Sequence, residues 1–127
     1  MKQKLRVPLL LLIPFLFGCN RADKEQQQIN IDPVKISPGL FKILLENEHV
    51  RVVKYSLQPG EKDEWHTHPA KSSYVVNGGK LKVYLKNGQT IFADEKEGTV
   101  SWMGYVGEHY VENIGNTTVT IVFTEIK

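Results

Sequence analysis

The chain has 127 residues, 41% of them hydrophobic, which is enough for one domain with a continuous core and too few for two ordinary globular domains. Charged residues make up 24% of the chain and the formal net charge is only +2, so the sequence lacks the basic character of a nucleic-acid-binding protein and we expect no DNA or RNA partner. The single cysteine, Cys19, cannot form a disulfide within the chain.

The first 18 residues have the pattern of a secretory signal peptide. Three basic residues, the last of them Arg6, precede an apolar run over residues 7–17. This run of 11 residues is too short to span a bilayer, which takes about 20 apolar residues. Removal of residues 1–18 would leave 13 Lys and Arg against 14 Asp and Glu, so the basic excess belongs to the predicted signal peptide.

The end of the apolar run, Leu16, Phe17, Gly18 and Cys19, resembles the bacterial lipobox, with a Leu three positions before the cysteine and a small residue directly before it. Phe17 departs from that pattern, because its position is usually small. The resemblance implies that Cys19 is lipidated and that the protein is exported and anchored to a bacterial membrane, on its periplasmic or cell-surface face. Lipidation also explains why a lone thiol is kept in an exported protein. An ordinary signal peptide with an incidental cysteine is the alternative.

The chain after the predicted cleavage point divides into two parts. Residues 19–36 are rich in polar side chains, above all over residues 23–28, so they predict a flexible tether behind Cys19. Residues 37–127 predict a single all-β domain, because short runs rich in Val, Ile, Leu, Tyr, Phe and Thr alternate with turn residues. The predicted strands are residues 41–45, 50–57, 64–68, 73–76, 80–85, 89–93, 99–102, 109–113 and 117–126.

His66 and His68 are the most informative pair in the predicted domain. Residues i and i+2 of a strand point to the same face, with Cβ atoms about 6–7 Å apart, so two imidazoles can reach one ion at about 2.0–2.1 Å. His109 adds a third imidazole from another predicted strand. The pattern predicts a site for one divalent transition metal, and imidazole ligands leave Fe, Mn, Ni, Zn and Cu open as its identity. A coincidental grouping in a metal-free barrel is the alternative.

The residues around the histidines resemble the two sequence motifs of the cupin superfamily, over about residues 41–126. Ser72 stands where the first motif has a metal-binding Glu, and Gly104 and Val106 replace the Pro and Gly of the second. The resemblance implies a double-stranded β-helix, the jelly-roll barrel of the cupins, with the metal inside it. The matching residues are Gly60, His66, His68 and Gly79 in the first motif and Gly98, His109 and Asn113 in the second.

The replacement of the Glu bears on the chemistry that the resemblance implies. Ser72, or the neighbouring Ser73, is a poor ligand for a divalent ion, which leaves a centre of three histidines. Three neutral imidazoles do not compensate the +2 charge of the ion, so it acts as a stronger Lewis acid with open positions for an anionic or chelating substrate. Glu64 has the same strand parity as His66 and is an alternative fourth ligand.

Two functions remain open from the sequence. Cupins include enzymes and non-catalytic modules, so we expect either a metal-dependent oxygenase acting on a small chelating organic molecule or a small-molecule-binding module without catalysis. Trp102 and Tyr105 lie near the second motif and are candidates for lining the substrate pocket together with Ser72 and Glu64, although aromatic residues in a small barrel also serve as core packing. The sequence does not fix the oligomeric state, and a homodimer is left open.

Overall fold

The computed structural model describes residues 27–127. Each of the nine predicted strands is present in this part of the chain, with bounds that shift by up to three residues, and a one-turn helix precedes them. The elements are α1 (Pro33–Ile36), β1 (Phe41–Glu46), β2 (Val50–Leu57), β3 (His66–His68), β4 (Lys71–Asn77), β5 (Gly79–Leu85), β6 (Thr90–Glu95), β7 (Val100–Met103), β8 (Val106–Asn113) and β9 (Val119–Ile126).

The strands form two antiparallel sheets. One sheet has the order β1-β2-β9-β4-β7 and the other the order β3-β8-β5-β6. Alternate side chains of each strand point to the same face, so each sheet turns one apolar face inward and one face to solvent. The buried apolar side chains between the sheets are Phe41, Val53, Tyr55, Leu57, Val75, Leu81, Val111, Val119, Ile121 and Phe123.

Glycines determine several of the turns between these strands. Gly60, Gly88 and Gly98 have φ values of 82°, 86° and 80°, a left-handed backbone that strains any residue with a Cβ atom. Gly78 is required for a different reason: a Cβ atom at this position would collide with the backbone carbonyl of Glu95. These requirements explain why glycines stand among the turn residues between the predicted strands.

The segment before β1 lies against the barrel. Residues 19–26 of the predicted flexible tether lie outside the described residues. In the remainder, Ile31 exchanges two hydrogen bonds with Thr67 of β3, from the Thr67 amide at 3.0 Å and to the Thr67 hydroxyl at 2.9 Å. Asp32 caps α1 by accepting a hydrogen bond from the amide of Val34, and its carboxylate also pairs with Arg51. Pro33 is also buried and Val34 packs against the core, so these residues are held against the barrel by both polar and apolar contacts.

No helix within residues 27–127 is long and apolar enough to cross a membrane. The predicted signal peptide and Cys19 lie outside the described residues.

Candidate metal centre

Three buried histidines meet between the two sheets. His66 and His68 are on β3, His109 is on β8, and antiparallel pairing places His66 directly opposite His109. Their exposed fractions are 1%, 2% and 6%. One ring nitrogen from each side chain lies within 4.8 Å of the others, so the three could bind a single ion. The structure thus brings together the three residues that the sequence singled out.

Hydrogen bonds fix the orientation of all three imidazoles. Nδ1 of His66 lies 2.7 Å from the backbone carbonyl of Glu64, and Nδ1 of His109 lies 2.7 Å from the carbonyl of Gly107. Nδ1 of His68 lies 2.9 Å from Oε1 of Glu125. Carbonyl and carboxylate oxygens accept hydrogen bonds, so each Nδ1 carries the proton and each neutral ring keeps its lone pair on Nε2.

The unprotonated Nε2 atoms of His66 and His68 are close enough together to bind the same metal ion. Nε2 of His66 lies 3.1 Å from Nε2 of His68, close enough for both to bind one ion at about 2.0–2.1 Å. Two lone pairs at this distance repel each other unless a cation or a proton lies between them. A proton is disfavoured there, because burial first and the neighbouring His109 and His68 next lower the pKa of His66 to about 3. The donor set therefore fits a transition-metal ion.

The other two imidazoles are also held neutral. Burial places the pKa of His68 well below its ordinary value, and the nearby charge of Lys71 acts in the same direction. Burial likewise lowers the pKa of His109, with partial opposition from the hydrogen bond to the Gly107 carbonyl. Neutral imidazole is the form that binds metal, so none of the three rings has to lose a proton before it binds an ion at neutral pH.

A chain of charged side chains supports His68 from behind. Glu125, which is 2% exposed, holds Nδ1 of His68 with one carboxylate oxygen, and its other oxygen accepts a hydrogen bond at 2.8 Å from Nε of Arg51. Arg51 then forms two hydrogen bonds to the carboxylate of Asp32, at 2.9 and 3.0 Å. A carboxylate behind a ligating histidine orients the ring and raises its basicity.

The sequence interpretation did not identify Glu125, Arg51 or Asp32. Strand parity could have found the first, since Glu125 continues the inward series Val119, Ile121, Phe123 along β9. An acid at an inward position of a buried strand needs a partner. Its partners come from other strands, and their identities do not follow from parity.

The histidines border a cavity of about 240 Å³ between the sheets. Its wall is mostly apolar and includes Val83, Leu85, Ile91, Met103 and Phe123. A few polar side chains also line it, namely Tyr55, Asp63, Lys71, Ser73, Glu95 and Ser101. A mainly apolar wall with a few polar groups that converge on one point is typical of a small-molecule site, and this cavity is small even for that class.

Two buried charged residues of the cavity wall are also absent from the sequence interpretation. Asp63 accepts hydrogen bonds from the Tyr55 hydroxyl at 2.7 Å and the Val111 amide at 2.6 Å, and burial raises its pKa to about 6 despite them. Lys71 is 5% exposed. Burial lowers the pKa of Lys71 to about 7, although the carboxylates of Glu125, Asp63 and Glu95 act in the opposite direction.

The four residues predicted as pocket candidates lie outside this cavity. Ser72 and Trp102 pair across β4 and β7 on the opposite face of the sheet from Lys71 and Ser73, and Trp102 is 62% exposed. Trp102 points away from the cavity because side chains alternate along a strand, and in β7 it is Ser101 and Met103 that line the cavity.

The other two candidates have structural contacts instead. The side chain of Glu64 is exposed, and only its backbone carbonyl reaches the centre, through His66. Tyr105 lines a separate surface depression of about 460 Å³ beside the N-terminal segment, and its hydroxyl donates a hydrogen bond to the carbonyl of Ile29 at 2.6 Å. Asn113, the last residue of the second motif, fixes a turn, with its amide donating to the carbonyls of Leu57 and Thr117.

Comparison with solved structures identifies the architecture. No protein-family model and no curated protein matches the sequence. The structure is similar to that of a cupin domain from Bordetella pertussis Tohama I, with 25% identity, a TM-score of 0.64, and coverage of 69% of this chain and 92% of the other.

Two more distant structures show the same fold. One is a cupin family protein with a double-stranded β-helix fold from Methanocaldococcus jannaschii, with 16% identity, a TM-score of 0.56, and coverage of 68% of this chain and 78% of the other. The second is a conserved protein with a double-stranded β-helix domain from Klebsiella pneumoniae, with 20% identity, a TM-score of 0.54, and coverage of 68% and 75%. The chain therefore has the double-stranded β-helix fold of the cupin superfamily, with a three-histidine group inside it that could hold a metal ion.

Proposed function

We propose that this protein is a metal-dependent cupin oxygenase that acts on a small chelating organic molecule bound in the barrel. The observation that carries the proposal is a group of three buried imidazoles whose ligand nitrogens lie within 4.8 Å of one another beside a cavity, with each Nδ1 already engaged. No fourth protein ligand joins the three imidazoles among the described residues. The centre therefore leaves room for substrate.

The residues of the chain have distinct parts in this proposal. His66, His68 and His109 bind the ion, and Glu125 orients His68. The apolar wall, which includes Val83 and Leu85, excludes water from the substrate. An ion held by three neutral imidazoles would supply Lewis-acid and redox chemistry with open coordination positions.

The proposal extends to cellular location. We place the protein outside the cytoplasm, held at a bacterial membrane through a lipid on Cys19, because the sequence of residues 1–19 resembles a lipoprotein signal. The substrate would then be a molecule available in the periplasm or at the cell surface.

Oxygen consumption tests the proposed activity. The full-length chain, purified in detergent and loaded anaerobically with Fe²⁺, should consume O₂ when supplied with one class of small chelators from a panel of catechols, 2-oxo acids and β-diketones. The Zn²⁺-loaded protein and the His66→Ala variant should not, because the first lacks a redox-active ion and the second lacks a ligand. Binding of a panel member with no O₂ uptake by the Fe²⁺ form would instead assign the chain to the non-catalytic binding modules.

A further inference from the structure

Lys71 is a buried basic residue on the wall of the metal cavity. It lies on β4 opposite Glu125 of β9, on the same face of the sheet as Ser73 and Val75, and it is 5% exposed. Its Nζ lies 3.5 Å from the centroid of the Phe123 ring. The Phe123 ring is in turn 5.3 Å from the His68 ring, so the ammonium and the metal-binding imidazoles border the same small space.

Within residues 27–127, no carboxylate forms an ion pair or a hydrogen bond with Lys71. The nearby acids are otherwise engaged, since Glu125 binds His68 and Arg51 and Asp63 binds Tyr55 and the amide of Val111. Glu95 also lines the cavity but makes no ion pair with Lys71. The face of an aromatic ring replaces only part of the solvation that water gives an ammonium group. The arrangement therefore lacks a close counter-charge for Lys71.

The need for an anion grows when a metal is bound. A divalent ion held by three neutral imidazoles adds positive charge to a cavity of about 240 Å³ that already contains Lys71. Like charges in a mainly apolar cavity repel strongly, so without an anion nearby the bound ion would favour the neutral form of Lys71. A ligand that carries negative charge toward both positions would relieve this repulsion, whereas a neutral ligand of the same shape would not.

We propose that the cavity binds a small organic acid, with one oxygen donor at the three-histidine centre and a carboxylate hydrogen-bonded to Nζ of Lys71. This inference rests on the proposed metal-dependent function and adds the substrate class. Lys71 is then a substrate-binding residue that selects anions. The apolar wall restricts the remainder of the molecule to a short hydrocarbon portion.

Calorimetry with malonate tests this proposal, because malonate is small and has a carboxylate at each end. The protein is the full-length chain loaded with Zn²⁺, which binds without redox chemistry, and malonamide is the uncharged ligand of similar shape. Lys71→Met should weaken malonate binding by at least about tenfold, the loss expected for one charge-assisted hydrogen bond. Malonamide should bind weakly to both proteins.

The matched control is Lys54→Met, which removes an exposed lysine from the outer face of β2 and should leave malonate affinity unchanged. Lys71→Gln serves as a second variant if the methionine variant does not fold. The proposal is overturned if the wild type binds malonate no better than malonamide, or if neither Lys71 variant weakens malonate binding.

The test also separates this proposal from the metal centre. If the protein takes up no Zn²⁺, the proposed function fails, and the same titrations on the metal-free chain decide the anion site. Malonate binding that depends on Lys71 would then support the anion site alone, and equal binding by wild type and variant would overturn it.

Discussion

Glu125 holds His68 in place, with Oε1 of the carboxylate 2.9 Å from Nδ1 of the imidazole. The exposed fraction of each of these side chains is 2%. The contact directs the Nε2 lone pair of His68 toward His66, where the two nitrogens lie 3.1 Å apart. An acid at the far end of the sequence thus determines the geometry of a ligand in the first motif.

Replacing Glu125 by glutamine should reduce metal affinity by about 10- to 100-fold, the usual cost of losing a partner behind a ligating histidine. The amide keeps the size of the side chain but removes the negative charge that raises the basicity of His68. Competition with a chromophoric chelator would measure the affinity. Glu112→Gln is the matched control, since Glu112 is a half-buried acid hydrogen-bonded to Tyr84 and away from the histidines. Equal metal affinity for wild type and Glu125→Gln would show that the contact has no role at the centre.

The segment before β1 should contribute to metal binding. Asp32 bonds Arg51, which bonds Glu125, so a chain that starts at residue 37 loses the outer end of this series. We expect that chain to have a lower melting temperature and weaker metal binding than a chain that starts at residue 27. Asp32→Asn in the longer chain should reproduce part of the loss. The idea fails if the two chain lengths melt and bind metal alike.

The position equivalent to the missing Glu should be Ser73 and not Ser72. Ser73 lines the cavity and Ser72 lies on the other face of β4, so Ser73→Glu would place a carboxylate on the side of the imidazoles. Metal affinity should rise, because an anionic ligand offsets the charge of the ion. Malonate affinity should fall, because the open position and the excess charge are both reduced.

Ser72→Glu is the matched control for this pair of effects and should change neither affinity. Calorimetric titration of metal, and then of malonate into the metal-loaded forms, measures both quantities. A larger effect from residue 72 than from residue 73 would contradict the assignment of the cavity face.

The proposed lipid anchor predicts where the full-length protein is found. When it is made in a bacterium, the wild type should fractionate with membranes, and Cys19→Ala should be soluble or uncleaved, because the acceptor thiol is gone. Immunoblots of the membrane and soluble fractions would measure this. The same distribution for both proteins would rule out lipidation at Cys19.

The strands and the three histidines could be predicted from the sequence because local patterns specify them. Turn glycines such as Gly60 and Gly98 separate the strands, and the spacing of His66 and His68 places both imidazoles on one face. These features need no knowledge of which strands are neighbours.

The rest of the site depends on pairing between distant strands, which the sequence does not specify. Lys71 and Glu125 meet across β4 and β9, and nothing local marks them as neighbours. The resemblance leaves both Ser72 and the neighbouring Ser73 as candidates for the position of the acid, and it does not decide which of the two faces the cavity. Trp102 lies near the second motif in the sequence, yet alternation along β7 turns it to solvent.

Metal analysis of purified protein and its single-histidine variants tests the three-histidine centre most directly. After purification without chelators and dialysis against Zn²⁺, the wild type should hold about one ion per chain, as expected for one centre of this kind. Variants His66→Ala, His68→Ala and His109→Ala should each retain far less. His49→Ala, which removes an exposed histidine, should retain the wild-type content. Wild-type metal content in all three variants of the buried histidines would contradict the assignment.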